Sequence, residues 1–170
     1  MKAARFRKIL PAIFLFLAGS VQADPAGSKV PPLPAVVQQT VSAQSPQGTV
    51  ISVEPKTMDG AMRYKVGVQD HGKKRTLVIE GTGKLLVTKT EVAADALPAP
   101  VRQTLSGQSQ GATIETHSEV SRAGKTYYEI ELKTGGHKKE IVIEPSGELT
   151  KVEEVVPVDT VPAPVRSAID

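Results

Sequence analysis

One phrase recurs at a fixed interval: LPAVVQQTVS from Leu33, LPAPVRQTLS from Leu97 and VPAPVRSAID from Val161, each 64 residues after the last. Residues 33–96 align with 97–160 without a gap, and about a third of the positions are identical. A fixed period of this length marks a duplicated supersecondary unit. Such a unit, at roughly 60 residues, is marginal alone, so the two copies are expected to join into one body. The third phrase stops at Asp170, so residues 161–170 read as a truncated third-repeat helix. That stub has two readings. It is either a cap carrying Val161, Val165 and Ile169 on one face, or a frayed tail, since a lone helical turn is unstable in water.

Each unit opens with a short helix. Pro34 and Pro98 suit its first position, where the missing N–H would be unbonded anyway. Val37 and Val41, like Val101 and Leu105, lie four apart and share a face. Strand patterns follow. Thr49–Glu54 and Ala112–His117 are β-rich, while Tyr64, Val66 and Val68, and again Tyr128, Ile130 and Leu132, alternate with polar or small residues. Turns at Asp70-His71-Gly72 and Gly135-Gly136-His137 lead into TLVIE and EIVIE, and Thr82-Gly83 and Ser146-Gly147 into a last strand. The expected fold class is α+β: two tandem units, 33–96 and 97–160, each a short helix on a four-stranded antiparallel sheet whose other face meets water.

Residues 1–23 read as a secretory signal peptide. Lys2, Arg5, Arg7 and Lys8 precede the apolar run ILPAIFLFLAG, and Val21-Gln22-Ala23 is a small-x-small cleavage site between Ala23 and Asp24. The run is shorter than the ~20 residues a spanning helix needs, so no stable membrane anchor is expected after cleavage. Asp24–Pro32 reads as a flexible leader. The signal holds four of the 21 Lys and Arg residues and no acid, which leaves 17 against 18 Asp and Glu. The net +3 belongs to the precursor, and a nucleic-acid partner, which needs a basic stripe, is not expected. All three Phe also lie in the signal, and the chain has no Cys or Trp.

The order of LPAVVQQ and LPAPVRQ at the helix, GKTYYEIEL in the middle and GGHKKEIVIEPSGEL at the last hairpin resembles the PepSY-like family, which is similar to the β-lactamase-inhibitor protein. The resemblance covers both units. It implies a bacterial, periplasmic or secreted, non-catalytic module, in a class whose members act as pro-segments or inhibitors of secreted peptidases. The implied partner is an envelope or secreted protein, a peptidase among the candidates.

The residues point the same way. There is no cysteine nucleophile and no Gly-rich phosphate loop, and His71, His117 and His137 lack ligand spacing, so no enzyme activity, catalytic residue, metal or cofactor is expected. The water-facing strand positions differ in sign between units. Arg63, Lys65 and Lys89 fall in the first, Glu129, Glu131, Glu140 and Glu144 in the second, with Tyr127 the outward aromatic. These residues form a bipolar partner-binding face, or two complementary faces that attract each other, or a charge difference that has drifted neutrally on solvated strands. Lys73, Lys74, Arg75, Lys138 and Lys139 form basic hairpin tips, the alternative anion-binding sites. An envelope module binding anions at these turns, or cations on the acidic face, is the competing function.

Overall fold

The computed structural model describes residues 30–155. The signal peptide, most of the leader and the stub 161–170 lie outside them. Helix α1 (Ala35–Gln44) precedes strands β1 (Thr49–Met58), β2 (Ala61–Asp70), β3 (Lys73–Glu80) and β4 (Leu85–Glu91). A single 3-10 turn (Ala94–Ala96) leads to α2 (Ala99–Gln108), β5 (Thr113–Arg122), β6 (Lys125–Thr134), β7 (His137–Ile143) and β8 (Leu149–Glu154). The order helix then four strands therefore occurs twice, as the repeat requires. The expected pair of four-stranded sheets is, however, one eight-stranded antiparallel sheet in the order β1 to β8, because β4 pairs with β5.

Two strands run further than their expected ends. β1 continues through Pro55 to Met58, which an outermost strand tolerates because, among the described residues, it is paired on one side only. β5 continues past His117 to Arg122 because both of its sides are paired. Irregularities at Val50/Ser52 in β1 and Ile114/Thr116 in β5 fall 64 residues apart, at matching places of the two hairpins.

Both helices lie on one face. Val37 and Val41 of α1 cover Val66, Val68, Leu77 and Ile79. In the second unit, Leu97, Val101 and Leu105 cover Tyr128, Ile130, Leu132, Ile141 and Ile143. The helices are attached at the same point in each unit. Thr40 Oγ1 donates to the Gly83 carbonyl at 2.6 Å, and Thr104 Oγ1 to that of Gly147 at 2.7 Å. Apolar alternation thus sends one set of side chains to the helices and leaves the other set uncovered by them.

The β5–β6 hairpin turns on Ala123-Gly124, both at positive φ (50° and 74°). Such two-residue turns favour Asn, Asp or Gly at the first position, and the equivalent turn Asp59-Gly60 obeys that rule. Ala123→Gly is therefore expected to stabilise the chain by about 0.5–1 kcal/mol. Urea unfolding of the two proteins checks it.

Candidate functional site

The sheet face turned away from α1 and α2, helix-free among the described residues, carries a trough of about 640 Å3 that crosses the β4–β5 junction. Arg63 and Lys65 of β2 line one side; Tyr127, Glu129 and Glu131 of β6 and Glu140 of β7 line the other. Strand alternation explains the selection. Lys65 neighbours core Val66, and Glu129 and Glu131 flank core Ile130, so each charged residue points away from the helices.

At the centre, the Lys89 ammonium of β4 reaches across β5 to donate to Glu129, and to Glu131 at 3.1 Å. Ser118 and Val120 lie buried between them on β5. Lys89 of the first unit thus forms ion pairs with two carboxylates of the second at this junction. Glu129, Glu131 and Glu140 bring carboxylate oxygens within 4.8 Å of one another. Lys151 of β8 adds a second ammonium, 3.4 Å from Glu140 and 2.7 Å from Glu153. These two lysines supply positive charge to the acidic cluster from within the chain.

The setting perturbs several ionisations. Burial, reinforced by the negative charge of Glu129, pushes the Glu140 carboxyl up to about 7, against the opposing pull of Lys151 and Lys89. Burial alone would lower Lys89, but Glu129 and Glu131 outweigh it and hold its ammonium above the usual lysine range. The Tyr127 hydroxyl is raised by burial and by Glu129, although Arg122 opposes both.

Other expected site residues are placed differently. Glu144 is exposed in the turn after β7, where its N–H bonds the Glu148 carbonyl, and it does not line the trough. Arg75 is no solvated tip. Its Nη1 donates to the Gln44 carbonyl and to Ser45 Oγ at 3.0 Å, with Asp70 at 3.6 Å, so it closes the C-terminal end of α1. Lys73, Lys74 and Lys138 are exposed and Lys139 half-buried. The two tips share one end of the sheet but lie four strand spacings apart, roughly 19 Å, and so do not form a joint patch. Sequence reasoning missed Lys151 and Glu153. Their spacing of two on a strand, beside Glu140 on the next, was the available signal.

No family model and no curated protein matches the chain. Solved structures do. A DUF2874 family protein from Bacteroides ovatus is similar at 20% identity and a TM-score of 0.60, over 73% of this chain and 89% of that one. A DUF2874 family protein from Bacteroides uniformis has 16% identity and a TM-score of 0.61, over 72% and 90%. A BLIP-like protein from Bacteroides fragilis has 15% identity and a TM-score of 0.59, over 75% and 89%. The chain thus has a β-lactamase-inhibitor-like fold: α+β, with two helices on one eight-stranded sheet.

Proposed function

We propose that the chain is an exported, non-catalytic protein-binding module, periplasmic or secreted, that holds an envelope or secreted protein on the helix-free face of its sheet. The observation that carries this reading is the trough, with Arg63 and Lys65 on one bank, carboxylates on the other and half-buried Tyr127 beside them. Binding interfaces concentrate their energy in such aromatic and arginine anchors, and opposed charges fix the orientation of a partner. The signal-like N-terminus and the PepSY-like wording support export and suggest a peptidase as the partner, restrained by steric occlusion. Among the described residues, no helix is long and apolar enough to cross a membrane.

Affinity capture from envelope extract at moderate salt, followed by calorimetry with the captured protein, tests the proposal. One partner should bind at one-to-one stoichiometry. Lys65→Glu combined with Tyr127→Ala should weaken it at least about tenfold while circular dichroism stays unchanged. Retention of salt-labile polyanions alone, lost on neutralising Lys73, Lys74, Lys138 and Lys139, would instead establish the charged-turn reading.

A further inference from the structure

We propose that copies of this chain associate head to tail, with β8 of one pairing antiparallel with β1 of the next in the register that joins β4 to β5. Among the described residues, the sheet ends on β1 and β8, each paired on one side only. By the 64-residue repeat these are the counterparts of β5 and β4, the two strands that pair at the centre of the molecule. At that internal junction Glu91 faces Ser118, Lys89 faces Val120 and Val87 faces Arg122. Moving each residue by one repeat sets Val155 against Glu54, Glu153 against Lys56 and Lys151 against Met58 of the next copy.

The charges support this pairing. Inside the chain Lys89 binds Glu129 across the junction. One repeat away, the counterpart of Lys89 is Glu153 and that of Glu129 is Lys65. Both signs are reversed, so Glu153 is again attracted across the junction: it faces Lys56 directly and lies toward Lys65, which Glu54 of that same copy holds at 3.5 Å. The second internal bridge, to Glu131, has no equivalent, because its counterpart is Gly67. The Glu153 side chain is partly exposed on this edge, so the carboxylate is within reach of a neighbouring copy. Val152 and Val155 on the same edge are 48% and 52% exposed.

Pro55 sets the strength. The hairpin at Asp59-Gly60 closes on the Met58–Ala61 pair, and the alternation of ladder bonds from there turns the Pro55 nitrogen outward. Its counterpart at the internal junction is Glu119, which keeps its N–H. The contact between copies therefore has one donor fewer than β4–β5 and is weakened by the loss of that bond. Because the two edges differ, the association is heterologous and can extend into a chain of copies.

The protein has no cysteine, which makes cross-linking clean. Glu54 and Val155 would face each other between copies, at a non-hydrogen-bonded pair close enough for a disulfide. Within one copy they lie on opposite edges, seven strand spacings or roughly 33 Å apart. Mild oxidation of Glu54→Cys/Val155→Cys should give a ladder of dimers, trimers and larger species that reductant collapses. Val155→Cys alone should form little dimer. Adding Lys65→Glu should reduce the ladder several-fold, adding Glu153→Lys to that should restore it, and Pro55→Thr should strengthen association about 2- to 10-fold. Circular dichroism confirms that each variant is folded. Absence of a ladder in the folded double-cysteine variant would overturn the proposal. So would equal dimer from Val155→Cys alone, which would mean that β8 pairs with β8.

Discussion

Replacing Gly147 with alanine is expected to lower the free energy of unfolding by about 3 kcal/mol. Two effects add. Gly147 has φ of 90°, where an L side chain is strained. A methyl group there would also stand 2.9 Å from both Cβ and the carbonyl oxygen of Pro100 on α2, closer than real Cβ contacts. The helix must then move off the sheet, and with it goes the bond from Thr104 Oγ1 to the Gly147 carbonyl. Gly136 is a suitable control, because its φ is 87° with nothing within 4 Å of an added methyl, so Gly136→Ala reports the backbone strain alone, about 1 kcal/mol. Urea unfolding of both variants separates the terms. Equal losses would mean that α2 yields to the methyl group at little cost and that its attachment is loose.

The same turn shows how much of this fold the sequence makes legible. Thr40, Thr104, Gly83 and Gly147 occupy matching repeat positions, so their importance was visible without the structure, although the bond between them was not. Periodicity finds the strands because it reports which residues face a core. It is silent about which strand lies alongside. A four-stranded unit and half of an eight-stranded sheet share the same alternation, and the β4–β5 pairing therefore went unread. One clue was present. Pro55 stands where the second unit has Glu119, and proline belongs on an outer edge, whereas the interior strand keeps its donor. The candidate face was legible for the same reason as the strands. Lys65, Tyr127, Glu129, Glu131 and Glu140 alternate with core residues, and all of them line the trough. Arg75 was misread because a charged residue near a turn gives no local sign that a distant helix end lies within its reach.

The acidic bank should make stability fall as pH rises, the reverse of the usual behaviour of carboxylates. Glu140 faces Glu129 and Glu131 from β6, Lys89 from β4, and Lys151 and Glu153 from β8, and its pKa is raised to about 7. The folded protein therefore holds a proton at Glu140 that the unfolded chain gives up near pH 4.5. The stabilisation is complete below about 4.5 and is lost as pH rises through about 7, an effect of about 2–3 kcal/mol between pH 4.5 and pH 8. His117, lowered by burial despite Glu91, acts in the opposite sense at the acid end, so the comparison must be with Glu140→Gln, which retains that histidine. The difference between the two proteins, followed by urea unfolding at pH 5 and pH 8, should favour the glutamine variant at pH 8 and shrink at pH 5. Lys89→Met should lower stability by about 2–3 kcal/mol at pH 8, because it leaves the partly buried Glu129 and Glu131 side chains without their shared ammonium. If the glutamine variant instead loses ground at pH 8, the two lysines hold Glu140 as a stabilising carboxylate. The trough would then carry its full negative charge throughout this range, and partner binding should not change between pH 5 and pH 8. If the glutamine variant gains ground as expected, the same window recharges one bank of the trough, and affinity for a partner oriented by that charge should shift with it.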